Sequence, residues 1–197
     1  MSKRSKSFEL HLCALDPAMA QAWSSHFGVQ AGVVIHEGDI LKQQADAILS
    51  PANSFGFMDG GIDLAYSHFF GWDLQDRLQE CLRREYAGEL PVGSAVLIPT
   101  KHRNIPYLVS APTMRVPADV ADTVNVYLAF RAALLLAKAS KEVRSLLSPA
   151  LGTGVGGMPL ERAARQMHAA YAEVILEQAQ WRQTARGVLQ HHARLLM

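Results

Sequence analysis

The chain has 197 residues, 49% of them hydrophobic and 19% charged, and 19 Lys and Arg against 18 Asp and Glu leave a formal net charge of +1 at pH 7. That length buries a full core within one domain, and the near-neutral balance excludes a nucleic-acid binder driven by bulk charge, though not a local basic patch. Two cysteines, Cys13 and Cys81, make neither a disulfide framework nor a metal-ligand spacing, which fits a reducing, cytoplasmic compartment.

The chain start, Met1–Lys6, is basic, but the stretch that follows carries Glu9 and His11 and is too short and too polar for a signal peptide. Phe8–Leu15 alternates as a strand. Asp16 and Pro17 follow as helix N-cap and first helical residue, and Ala18–Phe27 reads as a short helix closed by Gly28. Val33–Ile35 is the next strand, and the apolar run Ala45–Leu49 is a third that opens straight into Ser50–Asp63. A helix starts at Ile62, breaks near Gly71 and resumes over Trp72–Tyr86, with Gly88 and Pro91 at the exit. Ser94–Ile98 and Tyr107–Val109 are strands around a polar turn from Thr100 to Asn104, and Met114–Asp122 is loop. Val124–Lys138 is an apolar helix whose run Ala132–Ala137 is far short of a membrane span. Val143–Leu147 is the last strand and Ser148–Gly157 a second glycine-rich loop. From Pro159 an amphipathic helix runs to about Trp181, and Thr184–Met197 either extends it or frays. No internal repeat or low-complexity segment interrupts this order.

Strands alternating with helices imply an α/β architecture with a mostly parallel sheet covered on both faces. Ligands in such folds sit at the C-terminal ends of the strands, and both glycine-rich loops leave strands there. The first loop holds Asn53, Phe55, Gly56, Phe57, Asp59, Gly60, Gly61 and Asp63 before its helix. The second places Gly152, Gly154, Gly156 and Gly157 around Thr153 and Val155, ahead of a proline-started helix. It is neither a Walker A sequence nor a dinucleotide fingerprint. Lys and Arg are absent from both loops, so phosphates there are held by backbone N–H groups and helix dipoles.

Side chains that carry chemistry each have two readings. Asp39 either accepts an adenine amine or caps the next turn. Asn53 either binds ribose hydroxyls or satisfies its own loop. Asp63 lies in a first helical turn, where the dipole favours a carboxylate in any case. His36 and His102 stand isolated in the sequence. No His, Cys and carboxylate set has metal spacing, and no metal or cofactor is expected.

In combination, Glu37–Ile40, Asp46–Ser54, Gly60–Asp63, Gly93–Val96 and Pro149–Val155 resemble, in order and spacing, the macro domain, over roughly residues 33–178. The resemblance implies a three-layer α/β/α sandwich with a mixed, mostly parallel central sheet that binds ADP-ribose. It implies one macro-like domain over 1–197, with a strand–helix extension at 7–28 and a helical tail at 179–197, acting as a monomer. By position, Asp39 matches the acid that reads the adenine amine, with Ile40 beside it, and Asn53 matches the Asn at the distal ribose. Gly60 and Gly61 match the loop against that ribose and the diphosphate. Gly152, Thr153, Gly154, Val155, Gly156 and Gly157 match the second phosphate loop. Asn53 and Asp63 also keep the spacing of the MacroD-type hydrolases, in which such a pair acts on mono-ADP-ribosyl or O-acetyl-ADP-ribose esters. Against that pattern, Gly156 stands where an aromatic packs and Met158 where tyrosine is common, so an open place is expected at Gly156. Leu64 and Ser110–Met114 also depart from the hydrolase pattern. Hydrolysis at C1″, non-catalytic reading of ADP-ribose and binding of a related nucleotide metabolite all stay open at this point.

Overall fold

The computed structural model describes residues 8–197; the basic start, Met1–Lys6, and Ser7 lie outside the described residues. Strands β1 (Glu9–Ala14), β2 (Val33–Glu37), β3 (Ala47–Ser50), β4 (Val96–Pro99), β5 (Tyr107–Ser110) and β6 (Ser145–Ser148) form one sheet in the order β2-β1-β6-β3-β5-β4. Every neighbouring pair is parallel except β4, which runs antiparallel to β5 at the edge. β3 is buried along its whole length, as a parallel strand covered on both faces must be.

Helices α1 (Pro17–Phe27), α4 (Asn125–Ala139) and α5 (Leu160–Val174) cover one face, where Leu10, Leu12, Leu49 and Val109 meet Trp23, Phe130 and Met167. The opposite face packs Ile48, Leu108 and Leu147 against Tyr66, Leu74 and Leu78 of α2 (Gly61–Phe70) and α3 (Asp73–Tyr86). The result is the expected three-layer sandwich with a mixed, mostly parallel sheet. Local signals set several boundaries as the sequence implies. Asp16 accepts the Ala18 N–H at 2.9 Å to start α1, and Gly28 ends it.

The strand–helix unit at the start is built into the sheet, with β1 hydrogen-bonded to β2 on one side and β6 on the other. One segment is built differently from the reading above. The long C-terminal helix stops at Val174 rather than near Trp181. Its end folds back through Leu176 N–H to Tyr171 O and Gln178 N–H to Ala172 O, with Glu177 in the left-handed region at φ 58°. Residues Gln180–Gln183 form a single tight turn, and Thr184 then accepts the Gly187 N–H to cap a separate helix, α6 (Ala185–Leu196). The tail is therefore a capped helix, neither a continuation nor a frayed end. It is held by buried Leu195, whose carbonyl accepts from Gln166 Nε2 at 3.0 Å, and by Arg182, which joins Arg131 and Tyr127 around the buried carboxylate of Glu173. Among the described residues, no helix is long and apolar enough to cross a membrane.

Candidate functional site

The parallel strands β1, β2, β3, β5 and β6 all point their C-terminal ends at one rim, and a two-lobed cleft opens there. One lobe, of about 380 Å³, lies beyond β1, β2 and β6 and is lined by Ala14, Asp16, Asp39, Ile40, Tyr66 and Thr153 among others. The other, of about 340 Å³, lies beyond β3, β5 and β6, with Asn53, Phe57, Asp63, Thr113, Met114 and Val155 in its wall. Ile62, Ala150, Thr153 and Gly154 line both, so the lobes are continuous, and each volume falls within the range of about 300–1,000 Å³ of small-molecule sites. A larger groove of about 630 Å³ runs between α3 and the outer edge of β4, but none of the candidate ligand-binding or catalytic residues lines it.

The second glycine loop forms the ridge shared by the lobes. It is pinned by Met158 N–H to Gly152 O at 2.9 Å, Gly157 N–H to Gly154 O at 3.0 Å and Val120 N–H to Gly156 O at 2.8 Å. Those bonds use carbonyls and leave a run of donors: no acceptor among the described residues takes the N–H of Thr153, Gly154, Val155 or Gly156. Across the cleft, the N-cap of α2 is Gly60, which has no side chain to cap the helix, and Gly61 begins it at φ 56°. The N–H groups of Gly61, Ile62 and Asp63 are likewise unpaired among the described residues. Two sets of free amides, one at a helix N-terminus, make a site for an anion without any cationic side chain. Among the described residues, neither lobe has Lys, Arg or His in its wall.

Asp63 is 7% exposed and sits in the first turn of α2, where Ser50 Oγ donates to its Oδ1 at 2.6 Å. Ser50, fully buried at the end of β3, had no role in the sequence reading. Burial raises the Asp63 carboxyl to about 7, against the opposing effect of the Ser50 hydrogen bond, which favours the anion. A carboxyl in that range, opening onto a cleft, exchanges its proton near neutral pH. Burial also pushes the nearby Cys13 thiol up to about 12, so Cys13 serves as an apolar wall, not a nucleophile.

Asp39 is the cap of a short turn, accepting the Leu41 N–H on Oδ1 at 2.9 Å, and it also lines the first lobe beside buried Ile40. Asn53 adopts the second of its two readings. Its Nδ2 donates to Phe57 O at 2.8 Å, and its Oδ1 accepts from Phe55 N at 3.0 Å and Phe57 N at 3.3 Å. The carboxamide oxygen and one of its two N–H donors are thus engaged by the loop from 53 to 57, and Asn53 also lines the second lobe.

Two expectations are corrected. No open place exists at Gly156, because a Cβ there would lie 2.6 Å from Gly152 O and 2.7 Å from a Val120 methyl. The loop folds onto itself and onto Val120, and glycine is what permits the contact. His36 is not isolated: its Nε2 lies 3.0 Å from His11 Nδ1 and the rings stack, outside the cleft. His102 packs against Phe69 and Phe70 at the other end of the sheet from the cleft. Among the described residues, no group of three or more His, Cys, Asp or Glu is placed to hold a metal ion.

Comparison with known proteins matches residues 49–167 to the Macro domain family model. An uncharacterized protein of Aquifex aeolicus is 38% identical over 136 residues, spanning 68% of this chain and 78% of its own length. An uncharacterized protein of Aeropyrum pernix is 35% identical over 146 residues, spanning 73% and 71%. Among solved structures, the Oceanobacillus iheyensis macrodomain with ADP superposes at a TM-score of 0.62 and 25% identity, over 72% of this chain and 75% of that one. The macrodomain of Mycobacterium tuberculosis DarG shares the fold at a TM-score of 0.58 and 20% identity, over 70% and 88%.

Proposed function

The chain belongs to the macro domain family, and we propose that it binds ADP-ribose in the two-lobed cleft and hydrolyses the bond at C1″ of an ADP-ribosyl ester. The observation that carries the reading is the facing pair of free amide sets, Thr153–Gly156 and Gly61–Asp63, with a carboxylate lobe at each end. In this assignment the diphosphate lies between the two sets, adenine enters the first lobe and the distal ribose the second. Asp39 offers its second carboxylate oxygen to the exocyclic amine of adenine while Oδ1 keeps the turn, and Ile40 packs on the ring. The solved Oceanobacillus iheyensis macrodomain has ADP bound, and a variant of it is solved with ADPR, which supports a nucleotide ligand for the shared fold.

Hydrolysis is assigned to Asp63. As the anion it takes a proton from a water molecule while the water oxygen attacks C1″; the bond from C1″ to the leaving carboxylate breaks, and the electron pair departs with that group. Ser50 fixes the carboxyl through one oxygen and leaves the other for the water. Asn53 positions the first loop through its bonds to Phe55 and Phe57.

A second reading, a binder without turnover, is favoured by that same use of Asn53, whose carboxamide oxygen and one amide hydrogen are engaged by the loop. Calorimetric titration with ADP-ribose, followed by an assay of release from an acidic-residue or O-acetyl ester, tests both. Binding with release supports the hydrolase; binding without release leaves the reader. No binding at millimolar ADP-ribose would overturn the assignment altogether.

A further inference from the structure

The end of the chain is cationic in a way that the two-lobed cleft does not use. From Gln178 to Met197 there is no Asp or Glu, against Arg182, Arg186, Arg194, His191 and His192. α6 lays part of that charge over α5, and a cavity of about 310 Å³ lies between the two helices. That volume stands at the lower end of the range of about 300–1,000 Å³ for small-molecule sites. Among the described residues, the cavity shares no lining residue with either lobe of the cleft.

Arg165 and His168 from α5 and His191 and Arg194 from α6 line it beside Trp181, and among the described residues no Asp or Glu does. The protein supplies no counter-charge here. Arg165 Nε is enclosed without a hydrogen-bond partner, so packing rather than an ion pair holds its stem. Both carboxylates of α5 are engaged elsewhere, Glu161 with His26 and Glu173 with Tyr127, Arg131 and Arg182. Arg194 donates from Nε to Gln190 O at 3.3 Å, within its own helix. A half-buried guanidinium left without an anion is costly, and an entering anion offsets that cost. The imidazoles are fixed by packing: His191 stacks on Trp181 with centroids 3.8 Å apart, and His168 meets Phe27 edge-on at 5.1 Å. Burial lowers the pKa of both, so at neutral pH the arginines carry the charge and the imidazoles offer neutral hydrogen bonds.

We propose that this cavity is a second anion site, separate from the cleft, and that it takes a small phosphate-bearing molecule. Two guanidinium forks match the double charge and terminal oxygens of a phosphate, where a monocarboxylate would leave one arginine unpaired. Any organic part of the ligand lies against Ala169, Ala172 and Leu195. Arg186 and His192 stand outside the cavity wall and Arg182 is committed to Glu173, so the free charge is gathered around one anion rather than spread along a strand.

The test is NMR titration of the ¹⁵N-labelled protein with phenyl phosphate, inorganic phosphate and benzoate, read at backbone amides and arginine side chains. Millimolar phenyl phosphate should shift Arg165 and Arg194 Nε–Hε and the amides around them. Benzoate, with the same ring and a single charge, should bind about tenfold more weakly. Phenyl phosphate tighter than inorganic phosphate identifies a monoester as the ligand and equal affinity the free ion; either supports the site. Arg165→Gln and Arg194→Gln should each weaken binding there by about tenfold or more, while any phosphate shifts at Thr153–Gly156 keep their own affinity. Arg194 is exposed, so its variant retains the test even where loss of Arg165 unsettles α5. Arg194→Lys, which keeps the charge without the fork, should recover only part of the affinity. Absence of shifts around the cavity, affinity unchanged in both glutamine variants, or benzoate binding as tightly as phenyl phosphate would overturn the proposal. So would a thymidine oligonucleotide whose binding is lost in Arg186→Gln while phenyl phosphate does not enter the cavity.

Discussion

Asp63→Asn separates the charge of Asp63 from its shape. The amide has the same size and still accepts from Ser50 Oγ, which lies 2.6 Å from Oδ1 in the native protein. Burial lifts the carboxyl from 3.8 to about 7. Across that interval the folded protein therefore keeps a proton that the unfolded chain has released. Because the folded value is the higher one, the associated stability is complete below the unfolded value and is lost as pH rises through about 7. At about 1.4 kcal/mol per tenfold, the displacement sets a ceiling of about 4 kcal/mol, and local water access near the cleft reduces it to about 1–3 kcal/mol. Urea unfolding at pH 5, 6, 7 and 8 measures the effect. The native protein should lose about 1–2 kcal/mol relative to Asp63→Asn between pH 5 and 8, and the variant should be the more stable of the two at pH 8. Parallel stability curves would refute burial of an ionisable Asp63. In the same variant turnover should fall by roughly 10²–10⁴-fold with ADP-ribose still bound, and native turnover should rise with pH through about 7 as the base form appears.

Ser50→Ala removes the hydrogen bond that favours the Asp63 anion, so the pH at which turnover rises should move upward; an unmoved profile would show that Ser50 does not govern the carboxyl. Gly156→Ala places a Cβ against Gly152 O and Val120, and should weaken ADP-ribose binding by about tenfold or more by displacing the amide run. Affinity within about twofold in calorimetry would show that the loop tolerates the crowding. Asp39→Ala should weaken ADP-ribose by about 10–100-fold through loss of a charge-assisted hydrogen bond, whereas a shorter adenine-free ligand such as ribose 5-phosphate should be unaffected. Prolonged dialysis against a chelator should leave binding and turnover unchanged, because backbone amides rather than a metal face the diphosphate.

What was legible in the sequence was what local chemistry decides. Asp16 and Pro17 announce α1, Gly71 the break between α2 and α3, and the two glycine runs the loops at the sheet rim. Contacts made across the fold were not. Ser50 and Asp63 meet only because α2 docks its first turn against the end of β3, and nothing in Ser50–Asp63 states that approach. His11 and His36 are 25 positions apart and touch through the parallel pairing of β1 with β2. The crowding at Gly156 comes from Val120, on a loop that the sequence marks only as irregular. The early end of α5 has no glycine or proline to signal it, since Glu177 takes the left-handed conformation itself. Asn53 was legible in its alternatives alone, because its three short-range bonds depend on how the chain turns from 53 to 57.

The central claim is that unpaired backbone amides on two facing segments hold the ligand. Amide-resolved NMR titration of the ¹⁵N-labelled protein with ADP-ribose reads those groups one by one. The largest shifts should fall on Thr153, Gly154, Val155 and Gly156 and on Gly61, Ile62 and Asp63, with a second set around Asp39 and Ile40. Shifts concentrated instead along the groove between α3 and β4, or no shifts at saturating ADP-ribose, would contradict it.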